Sequence, residues 1–142
     1  MANAIYPKAK EKMLAPGTLG TSSGNAIDWV DDTIKVALVD TGTYTYNSSH
    51  EYYSSVVSGV VGTPQTIGAT KTATNGQADG ANVTFSSVSG NESEALVIYK
   101  DTGSNNTSPL ICYLDTGVTG LPVTPNGGDI DVTWDSSYIF SI

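Results

Sequence analysis

The chain has 142 residues, of which 39% are hydrophobic, and this is enough for one domain with a buried core. Its 14 acidic residues outnumber 6 lysines, arginine is absent, and the formal net charge is −8. This balance argues against nucleic-acid binding, which needs a basic surface, and against contact with an anionic membrane.

The first predicted element is a short helix from Tyr6 to Leu14. Pro7 suits the first turn of this helix, and Pro16-Gly17 ends it. A helix of this length is unstable alone, so it must dock on another surface. The Gly/Ser/Thr-rich stretch that follows, up to Asn25, predicts a connecting arm.

Strand patterns begin after this arm. In Thr33–Asp40, apolar residues alternate in a way that predicts a half-buried or central strand. Residues 44–57 are ambiguous between a strand and a short helix. Weak strands, separated by turns at Asn75-Gly76 and Asp79-Gly80, are expected at residues 66–74 and 82–88.

The C-terminal half contains the strongest strand signals. Glu94–Asp101 and Leu110–Asp115 are apolar on both faces and are joined by a polar loop, which predicts a buried β-hairpin. Asp129–Asp135 alternates between apolar and polar residues, and Tyr138–Ile142 forms a final strand.

This order of elements predicts an all-β fold. We expect a single β-sandwich of about seven or eight strands, with Greek-key or jelly-roll-like connections and a short N-terminal helix or arm. Residues 1–25 would form the helix and arm, and residues 26–142 the β-sandwich domain.

Reactive side chains are few. Cys112, the one cysteine, lies in an apolar run and is interpreted as a small core residue. A catalytic thiol or hydroxyl would depend on His50, the one histidine, and no nucleophile-elbow motif lies near it. We therefore expect no catalytic residues, no cofactor and no enzymatic activity.

Three aspartates on one face of a predicted strand are the best metal candidates: Asp129, Asp131 and Asp135. Calcium prefers several hard oxygen ligands at about 2.3–2.6 Å. Residues two apart on a strand lie roughly 6.5–7 Å apart, near the limit for sharing one ion. A solvated or partner-facing strand is therefore the favoured interpretation, and a calcium site is the alternative.

Two groups of residues are candidates for contact with a partner protein. The N-terminal helix carries three of the six lysines, so it can contact an acidic neighbour, although it can equally fold back on its own sheet. The second group is a cluster of tyrosines, whose rings suit contact with protein or sugar but can also edge the core. The candidates are Tyr6, Lys8, Lys10, Lys12, Leu14, Tyr44, Tyr46, Tyr52 and Tyr53.

Several segments resemble small proteins encoded among the virion genes of tailed bacteriophages. They are Asp32–Val39, Tyr44–Tyr46, His50–Tyr53, Ala95–Gly103, Ser108–Ile111 and Gly127–Asp135. The resemblance runs from about Ile27 to the C-terminus. It implies a virion structural protein without catalytic residues.

The leading hypothesis is a capsid decoration, or cement, protein on the outer head shell. Its partners would be the major capsid protein and neighbouring copies of itself, in a homo-oligomer within the virion, after synthesis in the host cytoplasm. The alternative is a tail- or fibre-associated protein or adhesin module that binds host-surface glycan or protein. A free carbohydrate-binding β-sandwich is a third hypothesis.

Overall fold

The computed structural model describes residues 3–15, 26–68 and 70–142, and within these ranges the chain is all-β with one short α-helix. The helix, α1, is Pro7–Leu14, close to the predicted bounds. The strands are β1 Ala4–Ile5, β2 Ile34–Val39, β3 Val60–Thr66, β4 Thr72–Thr74, β5 Gln77–Asp79, β6 Val83–Phe85, β7 Ala95–Lys100, β8 Leu110–Leu114, β9 Ile130–Val132 and β10 Phe140–Ser141.

The largest sheet has five antiparallel strands in the order β1-β8-β7-β2-β3. Its three central strands are those with the most continuous apolar sequence, and nearly all of their residues are buried. Leu96 pairs with Leu38 on one side and with Leu114 on the other. The predicted β7–β8 hairpin is confirmed.

Two smaller antiparallel sheets complete the described strands, with the orders β10-β5-β4 and β6-β9. The β4–β5 hairpin turns at Asn75 and Gly76, whose φ angles are 55° and 76°. Two successive positive φ values favour an Asn-Gly pair in a two-residue hairpin loop. A side chain at Gly76 would also approach the carbonyl oxygen of Ile142, because a Cβ there would lie 2.8 Å from it.

The strand prediction was wrong in two respects. The described ranges contain ten strands, more than the seven or eight expected. The short strands β1 and β5 were not predicted, because segments of two or three residues give little sequence signal. The strand expected at residues 66–74 is also misplaced, since β3 lies at Val60–Thr66 and the next strand starts at Thr72. Gly62 and Pro64 interrupt the strand pattern of β3, which tolerates them as an edge strand. The arrangement of the sheets as a sandwich remains a prediction.

Helix α1 docks on the chain's own sheet, next to β8. The Tyr6 N–H donates a 3.0 Å hydrogen bond to the carbonyl oxygen of Ile111. Tyr6 and Ala9 are fully buried and belong to the same hydrophobic core as the sheet. The helix therefore folds back, as the alternative prediction had it, and the expected arm over residues 17–25 lies outside the described residues. No described helix is long and apolar enough to span a membrane.

Candidate protein-binding surface

The outer side of α1 contains the most accessible of the predicted partner-binding residues. Leu14 is 84% exposed, and Lys10 is also exposed. Lys8 forms a 3.1 Å ion pair with Glu11 within the helix. Exposed pairs of this kind are easily exchanged for other contacts because they contribute little to stability.

Lys12 is not available to a partner, so its assignment to the binding surface is corrected. Its side chain is 3% exposed, and its Nζ lies 2.5 Å from Oε1 of Glu51 and 5.4 Å from the centre of the Tyr52 ring. Burial raises the pKa of Glu51, but the hydrogen bond and charge of Lys12 outweigh this effect, so the pKa lies below its usual range. We call Lys12, Glu51 and Tyr52 the lysine site.

Three of the predicted tyrosines are buried and are likewise corrected. The Tyr6 and Tyr44 hydroxyls share a 2.8 Å hydrogen bond, and the Tyr44 hydroxyl lies 3.0 Å from Nδ1 of His50. Tyr53 stacks on Tyr99 with ring centres 4.0 Å apart. Burial raises the pKa of Tyr6, Tyr44 and Tyr53, which keeps these phenols neutral. They stabilise the fold from inside.

Tyr46 and Tyr52 remain half-buried, and Tyr46 borders a groove of about 410 Å³. Since β2, β7 and β8 are antiparallel neighbours, the end of β2, the start of β7 and the end of β8 meet at one edge of the sheet, and the groove lies there. We call it the tyrosine pocket; its lining residues are Thr41, Tyr44, Thr45, Tyr46, Glu94, Tyr113, Asp115 and Pro122.

Aromatic rings and carboxylates are combined in the tyrosine pocket. The rings of Tyr46 and Tyr113 lie 5.5 Å apart at 51°. The Thr41 N–H donates a 3.0 Å hydrogen bond to Oε2 of Glu94, which fixes that carboxylate. Burial raises the pKa of Tyr113, and the negative charges of Asp115 and Glu94 raise it further. The pocket is therefore electronegative, and no lysine lines it within the described part of the chain.

Asn3 fixes one side of this edge. Its Oδ1 accepts hydrogen bonds from the N–H groups of Asp115, at 2.7 Å, and Thr116, at 3.0 Å. Its Nδ2 donates to the carbonyl oxygen of Thr116 at 2.9 Å. The start of the described chain thus holds the loop that follows β8.

A second groove, of about 470 Å³, is lined by residues of two edge strands, β1 and β10. Its apolar lining includes Ile5, Leu114 and Ile139. Edge strands offer main-chain hydrogen-bonding groups, so an extended segment of another chain can pair with such a site.

The three calcium candidates are exposed and contact different partners. Asp129 accepts a hydrogen bond from the Ser87 N–H at 3.0 Å, and Asp131 accepts one from the Thr84 hydroxyl at 2.7 Å. Asp135 accepts a 2.9 Å bond from the N–H of a nearby turn residue. Within residues 3–15, 26–68 and 70–142, no group of three potential ligands is placed to hold a metal ion. A calcium site at these aspartates stays a prediction.

Cys112 lies in the buried strand β8, as its core interpretation predicted. Burial raises the pKa of its thiol, so the reactive thiolate is disfavoured. His50 is half-buried, and its ring forms a hydrogen bond with the hydroxyl of Tyr44.

Sequence reasoning missed the main polar members of the tyrosine pocket, Glu94 and Asp115. A signal was present, because the two acids flank the two strands of a predicted hairpin: one precedes β7 and the other follows β8. In an antiparallel hairpin such positions fall at the same sheet edge. The contribution of Asn3 had no comparable signal.

Neither a protein-family model nor a curated protein matches this sequence.

Proposed function

We propose that this chain is a bacteriophage virion structural protein, and specifically a capsid decoration protein that binds the outer head shell. The observation that carries the binding role is the tyrosine pocket. It places tyrosine rings, in which protein-binding surfaces are enriched, beside two carboxylates that a basic partner would complement. The virion assignment rests on the sequence resemblance given above.

The distribution of charge supports a binding role. The net charge of −8 favours solubility of the free chain and attraction to a basic partner surface. The exposed Leu14 and the groove between the edge strands β1 and β10 provide apolar and main-chain contacts beside the charged ones. A cement protein stabilises a shell by binding to its assembled state.

The second candidate is a tail- or fibre-associated adhesin module. The tyrosine pocket also favours this function, since aromatic rings beside carboxylates suit contact with a host-surface glycan as well as with a protein. The two candidates differ in the number of copies that a particle contains.

Copy number therefore tests the proposal. We would measure it by quantitative mass spectrometry of virions purified from the phage that encodes the chain, relative to the major shell protein. Hundreds of copies in a simple ratio to the shell protein are expected. A dozen or fewer would assign the chain to the tail or neck, and absence from particles would overturn the virion proposal.

A further inference from the structure

We infer that the tyrosine pocket binds the ammonium or guanidinium group of a lysine or arginine side chain on a partner protein. The inference deepens the proposed function and rests on it for the identity of the partner, the shell protein. The binding chemistry itself is a property of this chain and can be tested without particles.

The geometry provides both parts of a cation site. Tyr46 is half-buried, and its ring lies 5.5 Å from that of Tyr113. Glu94 contributes a carboxylate that the Thr41 N–H holds through Oε2 at 3.0 Å. A cation beside an aromatic ring is attracted by the ring's electron-rich face, and a carboxylate adds charge-assisted hydrogen bonds.

The Tyr113 hydroxyl provides a second, independent indication of a ligand. The Tyr113 side chain is 3% exposed and lines the pocket. Within the described residues, its hydroxyl forms no hydrogen bond to protein. Since the hydroxyl is not engaged by the fold, it is available to hydrogen-bond to a ligand in the pocket. The phenol oxygen can accept a hydrogen bond from an ammonium or guanidinium group.

The lysine site shows the same chemistry already at work within the chain. There, the ammonium of Lys12 is held by a glutamate and lies over a tyrosine ring at 5.4 Å. The tyrosine pocket repeats the pairing of glutamate and tyrosine rings, but no lysine of the described residues lines it.

A cation fits the pocket better than a neutral sugar does. Glu94 and Asp115 both place negative charge on the pocket, and this charge contributes to the raised pKa of Tyr113. Among the described residues, the lining contains carboxylates and hydroxyl groups but no amide or basic side chain. Charge complementarity thus favours a basic side chain.

The test is an NMR titration of the full chain that monitors the ring resonances of Tyr46 and Tyr113. The probes are Nα-acetyl-lysine amide and Nα-acetyl-arginine amide, with Nα-acetyl-norleucine amide as the neutral control and methyl glycosides of glucose, galactose and mannose as the sugar comparison. We expect saturable shifts with the cationic probes alone. Raising NaCl from about 0.05 to about 0.5 M should weaken this binding, because salt screens exposed charges.

Two variants test the role of the carboxylate. Glu94→Gln keeps a side-chain oxygen for the Thr41 N–H but removes the charge, so the Kd for the cationic probes should rise at least about threefold. Glu92→Gln removes the same charge from an exposed neighbour outside the pocket and should leave the Kd within about twofold.

Equal shifts with the norleucine probe, equal Kd values for the two variants, or saturable binding of a glycoside alone would each overturn the inference. These results are independent of copy number. Absence of the chain from virions would sink the proposed function while leaving a measured cation site in place. Hundreds of copies per particle without binding of the cationic probes would support the proposed function and overturn the cation site.

Discussion

The lysine site and the tyrosine pocket both combine a glutamate with tyrosine rings, but only the lysine site includes a lysine among the described residues. In the lysine site, α1 brings the ammonium of Lys12 to Glu51 and Tyr52, and the lysine is 3% exposed. In the tyrosine pocket, Glu94 lies at a groove with Tyr46 and Tyr113, and no described lysine lines it. At the lysine site the chain supplies the cation, and the pairing stabilises the fold. At the tyrosine pocket, we propose that a partner supplies it.

The largest loss of stability is expected when the residue that connects the two regions is removed. Tyr6 is fully buried at the start of α1, and its ring lies 5.0 Å from that of Tyr46. Tyr6→Ala should lower the free energy of unfolding by about 3–5 kcal/mol, because it leaves a cavity and removes the hydrogen bond to Tyr44. Denaturant unfolding measures this change.

Leu14→Ala is the matched control on the same helix. Because Leu14 is 84% exposed, the variant should change the free energy of unfolding by less than about 0.5 kcal/mol. Similar losses for Leu14→Ala and Tyr6→Ala would contradict the docking of α1 through its buried side.

Lys12→Met breaks the lysine site itself. It leaves the Glu51 carboxylate without its cation, so we expect the free energy of unfolding to fall by about 1–3 kcal/mol. Lys8→Met, which removes an exposed ion pair with Glu11, should cost less than about 1 kcal/mol. If the two variants lose the same amount in denaturant unfolding, Lys12 does not contribute as a buried cation.

Lowering the pH should remove the contribution of the Lys12–Glu51 ion pair to the free energy of unfolding. The folded-state pKa of Glu51 lies below its usual range because Lys12 outweighs the effect of burial. Its contribution to stability is therefore present above the unfolded pKa, and it is lost as pH falls below about 4.5 through the folded value. The difference in unfolding free energy between wild type and Glu51→Gln should shrink as the pH falls from 7 to 3, measured by denaturant unfolding of both proteins at each pH. A difference that stays constant or widens would be inconsistent with this ion pair.

The smallest effect is expected at the tyrosine pocket. Glu94→Gln keeps an oxygen acceptor for Thr41 and removes a charge that lies near Asp115, so the free energy of unfolding should change by less than about 1 kcal/mol. Thermal and denaturant unfolding both measure it. A loss of several kcal/mol would mean that Glu94 belongs to the fold in the way that Glu51 does, and the contrast between the two regions would disappear.

Sequence predicted the parts of the fold that depend on local pattern. Strands β2, β7 and β8 were found because their apolar runs are bounded by turn residues, and α1 because Pro7 and Pro16-Gly17 mark its ends. Strand β3 was missed because glycine and proline interrupt it. Its stability comes from pairing with β2, which a local pattern does not reveal.

The candidate surface was less predictable for the same reason. Composition pointed to tyrosines and lysines, but burial depends on tertiary packing, which placed Tyr6, Lys12, Tyr44 and Tyr53 inside. Glu94 and Asp115 come together only when β2, β7 and β8 pair. The predicted hairpin implied that the two acids lie close together. It did not place Tyr46, which lies in the loop after β2.

Docking of the tyrosine pocket onto a basic partner can be measured by co-sedimentation of the purified chain with phage particles that lack it. We expect saturable binding that weakens as salt is raised, is reduced by Glu94→Gln, and is unchanged by Glu92→Gln. Binding that is insensitive to salt and equal for wild type and both variants would contradict the claim that the tyrosine pocket docks this protein onto a basic partner.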